Sequence, residues 1–252
     1  MIQELQLGFY MWAYSNVKSV DYSFTELRKS YPNSELILSS DNGEDMTSLV
    51  EKHNVMYYIH GTNSHGPSYF SKDGGGRYGW TVKEARLWLD RLYEACKRME
   101  CEYVMLMEED VLVKERFDFP KVDIIMTPNF RNAISSEGMK WVRDRGGLGN
   151  YCYYSAGGGS IIKRSLFIAA YEKHIDSFTK EYERIYEASM NEGAIGWGWN
   201  DSIICVLMYT ESPNVLQELP VIESGNENDN APIIHNFKKY YNINLAKETH
   251  SL

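Results

Sequence analysis

The chain opens with apolar runs of strand length separated by amphipathic stretches of helix length. Residues 7–12 are a strand-like apolar run; residues 20–30 carry a helical repeat ended by Tyr31-Pro32. Leu36, Ile37 and Leu38 predict a buried strand, stopped by Ser39-Ser40-Asp41-Asn42-Gly43. Residues 45–53 then predict a helix and residues 55–59 a further strand. Strands separated by helical stretches of about ten residues imply right-handed crossovers and a mainly parallel sheet with helices on both faces.

Thr81-x-x-Glu84 reads as a capping box that opens the longest amphipathic helix. Ala85, Trp88, Leu89, Leu92, Cys96 and Met99 lie on its apolar face, with Arg86, Asp90, Arg91, Glu94 and Lys97 opposite. Residues 103–107 follow as a central strand buried on both sides, and three acids come directly after it: Glu108, Glu109 and Asp110. In open α/β sheets ligands collect outside the carboxyl ends of the strands, which is where these carboxylates stand.

The second half differs in texture. Residues 122–126 predict a strand, residues 128–155 an irregular region, and Gly157-Gly158-Gly159 a glycine-rich loop. Helices are expected over 164–174 and 176–190, the second capped by Asp176. Gly196-Trp197-Gly198-Trp199-Asn200-Asp201 opens a short apolar helix to about residue 208, and a polar loop over 223–230 precedes the run 233–238. There is no internal repeat, and no linker divides the chain, so residues 1–252 are read as one domain.

With 43% hydrophobic and 24% charged residues the composition excludes collagenous, low-complexity and wholly disordered classes. A formal net charge of -9 argues against nucleic acid or an anionic membrane as partner, and requires a local cation wherever an anionic ligand binds. No apolar window reaches the roughly 18 residues of a membrane span, and no basic region precedes the first apolar stretch. Cys96, Cys101, Cys152 and Cys205 lack CxxC spacing and read as reduced thiols. These features predict a soluble cytoplasmic protein. The N-x-S sequon Asn200-Asp201-Ser202 falls among the candidate site residues, where a glycan would obstruct.

Crowded carboxylates repel one another unless a cation joins them, and oxygen ligands at Glu108 and Asp110 suit Mg²⁺ or Mn²⁺; a solvated acidic turn is the alternative. Gly74-x-Gly76-x-x-Gly79 matches a dinucleotide fingerprint in letters only. It lies far beyond the first strand, and reads as a loop in which Arg77 could touch a phosphate. No GxxxxGK[ST] sequence is present. His53, His174 and His250 read as solvated or helix-end residues. His235 follows an apolar run and shares its segment with Lys238, which suits either a ligand or a structural histidine. The 19 tyrosines and 6 tryptophans exceed what a core should need, and flat amphipathic rings suit sugars.

In order, these segments resemble the GT-A-fold nucleotide-sugar glycosyltransferases. Ser39-Ser40-Asp41 is similar to that family's base-binding Asp, Glu108-Glu109-Asp110 to its DxD metal motif, Gly157-Gly158-Gly159 to its glycine-rich loop and His235 to its carboxy-terminal metal ligand. Residues 196–201 resemble the GWGxED stretch of inverting β-1,4-galactosyltransferases, with Asn200 in place of the first acid. Glu108 likewise stands where the family has Asp, which makes Asp110 the surer ligand. The resemblance implies Mn²⁺ or Mg²⁺ on Glu108, Asp110 and His235. It implies a nucleoside-diphosphate sugar against Ala13, Ser15, Asp41, Arg77, Glu109 and Lys238. It also implies a carbohydrate or glycan acceptor near Gly158, Trp197, Trp199 and Asn200, with Asp201 as base. Residues 1–127 would then be the donor half and 128–252 the acceptor half. A glycoside hydrolase using Asp110 and Asp201, a sugar nucleotidyltransferase and a non-catalytic carbohydrate-binding module are the competing readings. The nucleotidyltransferase lacks its phosphate loop, since Met11 to Asn16 occupies that place.

Overall fold

The computed structural model describes residues 6–41, 43–61, 81–126, 136–147, 158–191, 199–216, 218–223, 226–235, 237 and 239–240, with side chains at all of these except 189–191, 199–202 and 222–223. The first half runs β1 (Leu7–Ala13), α1 (Val17–Ser30), β2 (Leu36–Ser40), α2 (Thr47–Lys52), β3 (Tyr57–His60), α3 (Val82–Arg98), β4 (Tyr103–Glu108), β5 (Leu112–Val113) and β6 (Ile124–Ile125). The second half adds α4 (Ser136–Arg143), β7 (Gly158–Lys163), α5 (Arg164–Asn191), α6 (Trp199–Tyr209), β8 (Val215–Leu216), β9 (Val221–Glu223) and β10 (Ile233–His235).

Among the described residues seven strands form one sheet in the order β3-β2-β1-β4-β7-β6-β8, and three form a second in the order β5-β10-β9. β3, β2, β1 and β4 are mutually parallel, and so are β6 and β8. β7 runs antiparallel between β4 and β6. The expected mainly parallel sheet is present.

Pleating divides the apolar strand residues between two cores. Tyr10, Trp12, Val104 and Leu106 pack with buried residues of α3, α4, α5 and α6. Phe9, Met11, Tyr103, Met105 and Met107 face the other way, toward Val20, Phe24 and Leu27 of α1. Both faces of β1 and β4 are therefore dry, which is why these strands read as unbroken apolar runs. The Thr81 and Glu84 capping box is formed, and starts α3 as the spacing predicts.

Several expectations need correction. The two helices expected over 164–190 are the single helix α5; Asp176 accepts a hydrogen bond from Arg86 Nη1 at 3.1 Å rather than capping a second helix. The apolar stripe of Ile175, Phe178, Tyr182 and Ile185 runs unbroken through that point and holds the helix together. The region expected to be irregular contains α4, which buries Met139, Trp141 and Val142. Gly158 and Gly159 belong to strand β7 rather than to a loop. Arg91, placed on the solvent face of α3, is buried. His174 is buried as well, edge-on to Trp141 and bonded to Glu211. The aromatic surplus largely fills the cores, since Trp12, Trp88, Trp141, Tyr10, Tyr103, Tyr182 and Tyr186 are all buried. Cys96, Cys101 and Cys205 are buried free thiols, and burial pushes the Cys96 thiol up to about 12. No described helix is long and apolar enough to cross a membrane.

Candidate functional site

β4 ends at Glu108, and the turn that follows carries Asp110 before the chain enters β5. β10 pairs with β5 through Ile233↔Val113 and Ile234↔Leu112, and this antiparallel register brings His235 to that turn. His235 Nε2 lies 3.7 Å from Glu108 Oε2 and 3.7 Å from Asp110 Oδ1. One ligand atom from each of the three residues falls within a 4.8 Å cluster. Two carboxylate oxygens and an imidazole nitrogen are a donor set suited to Mn²⁺ or Mg²⁺, and the three side chains are spaced for one ion to sit among them. The Glu108 side chain is 37% exposed against 12% for Asp110 and 9% for His235, so the cluster opens to solvent on the Glu108 side.

The floor of the cluster is Gly158. A Cβ at this position would stand 2.6 Å from His235 Nδ1 and 2.7 Å from Cε1, so the imidazole lies where a side chain would be. The β4–β7 register slips between Met105 and Met107, Gly159 takes φ +109°, and Gly158 is thereby set opposite Met107 at the strand end. This glycine, assigned by resemblance to the acceptor, is in contact with the histidine of the triad.

Glu109 turns away from its neighbours. Its Oε2 accepts from the backbone N–H groups of Ser15 at 3.0 Å and Asn16 at 2.9 Å. Ser19 Oγ donates to the Glu109 carbonyl at 2.6 Å. The expected donor-side residues Ser15 and Glu109 are thus bonded to each other at the amino terminus of α1, where Asn16 is the N-cap.

Ala13 ends β1, and its carbonyl accepts from the Asp41 N–H at 2.8 Å. The Asp41 carboxylate is buried and accepts from Arg91 Nη1 at 3.0 Å and from Ser39 Oγ at 3.3 Å. Burial pushes the Asp41 carboxyl up to about 6, against the opposing pull of Arg91. Gly61 makes room for Arg91, since a Cβ there would meet its Nη2 at 2.2 Å. Sequence reasoning missed this ion pair; the absence of any bulky residue at Gly61 was the available sign.

Ala13, Asp41, Glu108, Asp110, Gly158 and His235 are therefore gathered at the carboxyl edge of the parallel strands. Arg77, Trp197 and Lys238 lie outside the described residues, as do Gly196, Gly198 and the 74–79 glycine loop. Trp199, Asn200 and Asp201 are placed by backbone in the first turn of α6, and their side chains lie outside the description.

No protein-family model matches the chain, and no curated protein matches it. Among solved structures, an active-site mutant of LgtC aligns over 96% of this chain and 95% of its own at 12% identity, with a TM-score of 0.50. The galactosyltransferase LgtC in complex with donor and acceptor sugar analogues aligns over 97% and 96% at 11% identity, TM-score 0.42. The apo form of the glycosyltransferase GlyE of Streptococcus pneumoniae TIGR4 aligns over 93% of this chain and 55% of its own at 8% identity, TM-score 0.49. At such identities the likeness is one of fold. The alignment with the LgtC mutant, nearly end to end on both chains, matches the GT-A-like architecture that the sequence implied.

Proposed function

We propose that the chain is a metal-dependent glycosyltransferase that moves a sugar from a nucleoside-diphosphate sugar to an acceptor hydroxyl of a carbohydrate or glycan, with inversion. The observation that carries this reading is the convergence of Glu108, Asp110 and His235 at the carboxyl end of the central strand β4. The fold supports it: LgtC, whose architecture the chain shares, is a galactosyltransferase solved with donor and acceptor sugar analogues.

Mn²⁺ or Mg²⁺, when bound, supplies the positive charge that a nucleoside-diphosphate leaving group needs as the glycosidic bond breaks. Asp110 and His235, which are buried, and the more exposed Glu108 are the residues that would hold it. Lys238, three residues beyond His235 in sequence, would supply a second positive charge for the diphosphate. The residues assigned to the donor are Ala13, Ser15, Asp41 and Arg77, and those assigned to the acceptor are Gly158, Trp197, Trp199 and Asn200. Asp201, in the first turn of α6, takes the proton of the acceptor hydroxyl. An acidic chain of net charge -9 has few other means of holding a pyrophosphate.

The test is a screen of nucleotide sugars with Mn²⁺, read as donor turnover. We expect turnover to be lost in excess chelator and in Asp110→Ala and His235→Ala. Asp201→Asn keeps size and most capping ability but removes the proton acceptor, so transfer should fall at least roughly a hundredfold with donor binding and Tm hardly changed. Full activity in chelator overturns the metal assignment, and near-normal transfer by Asp201→Asn overturns the base. A product that retains the donor's anomeric configuration overturns the single displacement. Hydrolysis of simple glycosides without a nucleotide sugar would favour a hydrolase, and sugar affinity indifferent to EDTA without turnover a binding module.

A further inference from the structure

The three residues of the metal-binding cluster arrive on two segments far apart in sequence, and both segments are tied to the same end of α1. On the acid side, Glu109 Oε2 accepts from Ser15 N and Asn16 N. Ser19 Oγ donates to Glu109 O at 2.6 Å, and farther along the same helix Ser23 Oγ donates to Val111 O at 2.6 Å and Ser30 Oγ, at its carboxyl end, to Lys114 O at 2.8 Å. On the histidine side, Phe237 N donates to Asp110 O at 3.2 Å and Asn16 Nδ2 donates to Tyr240 O at 3.1 Å. Tyr22, farther along α1, packs edge-on to both Phe237 and Tyr240.

We propose that Glu109 is a positioning residue for the metal cluster. It anchors the turn bearing Glu108 and Asp110 to the amino terminus of α1, while Asn16 anchors the segment that follows His235 to the same point. The inference rests on the metal reading above and adds to it a division of labour within the three acids. Glu108 and Asp110 face His235; Glu109 gives its charge to two backbone amides and the helix dipole, and so stays out of the ion's donor set. Ligands fixed before binding lose less freedom when the ion arrives, and contacts that orient metal ligands typically change affinity by about 10–100-fold.

The proposal is tested by Mn²⁺ affinity of the full chain, read by electron paramagnetic resonance of the free ion, without any substrate. Glu109→Ala should weaken Mn²⁺ about tenfold. Glu109→Gln keeps a carbonyl oxygen for the Ser15 and Asn16 amides, and should hold affinity within about threefold of the wild type. If Glu109 were a ligand or a charge contributor, Gln would lose as much as Ala, and that result overturns the positioning role. An unchanged affinity in Glu109→Ala overturns it too. A residue that only stabilised the fold would lower Tm without moving the affinity of the folded protein. Should Glu109→Ala not fold, Ser19→Ala removes one bond to the same turn in a buried site; weakening of about threefold supports the role and wild-type affinity overturns it. Asp110→Asn separates the two claims: if it binds Mn²⁺ as the wild type does, or if neither binds, the metal centre itself is wrong.

Discussion

A methyl group at position 158 would collide with the His235 ring, and this makes Gly158→Ala a test of the histidine that leaves all three candidate ligands in place. We expect Mn²⁺ affinity to drop about tenfold or more, as for other losses of ligand orientation, measured by calorimetric titration. Asp41 carries a second expectation. Its carboxyl is held near 6 by burial, above the 3.8 of an unperturbed Asp, so the folded chain keeps a proton that the unfolded chain releases. Stability from this group is present below roughly pH 4 and declines as pH rises through about 6. Urea denaturation of wild type and Asp41→Asn should therefore show the wild type losing ground to the variant from about pH 4 to 7. A wild-type advantage that grows with pH would mean that Arg91 holds the carboxylate ionised. At this scale residue type and strand position made the meeting of Glu108, Asp110 and His235 legible. The sequence was silent where a role depends on a distant backbone. Nothing in Glu108-Glu109-Asp110 says that the middle acid meets the amides of Ser15 and Asn16.

Helices whose faces are set by their own sequence are the legible ones. α1 and α3 show a clear apolar stripe, and the start of α3 is written in Thr81 and Glu84. Thr81→Ala should cost about 1 kcal/mol in equilibrium unfolding through loss of the cap. α5 is different, because Asp176 resembles a cap and sits in mid-helix. Asp176→Ala should change stability by no more than about 0.5 kcal/mol, since its carboxylate is exposed and its tie to Arg86 is a surface pair. Asp176→Pro, in contrast, should cost about 3 kcal/mol or more and lower the helical circular dichroism, which two helices joined at that point would tolerate. The two- and three-residue strands β5, β8 and β9 could not be read, because a strand that short is defined by its partner rather than by its own alternation.

Across the whole molecule, the candidate ligands belong to two different sheets. Glu108 ends a strand of the larger sheet and His235 ends one of the smaller, so an ion held by both would join the two. Mn²⁺ at about a hundred times its Kd should stabilise the fold by about 2.7 kcal/mol and raise Tm, with no such rise in Asp110→Asn. Differential scanning fluorimetry with and without chelator reads this directly. The fold class was legible because alternating strands and helices admit few topologies. The insertion of β10 between β5 and β9 was not, since it rests on pairings between segments that carry no mark of each other.

That insertion also orders events in time. A ribosome adding about 5–20 residues per second completes β1 to β4 well before it reaches β10, an interval on the order of ten seconds. Throughout it the acidic turn exists without its imidazole, so on the proposed reading an ion would find the full donor set only after β10 docks. If the proposed centre is correct, capacity to bind the cation would report that synthesis has passed His235, since a chain released short of that residue would lack one of the three donors.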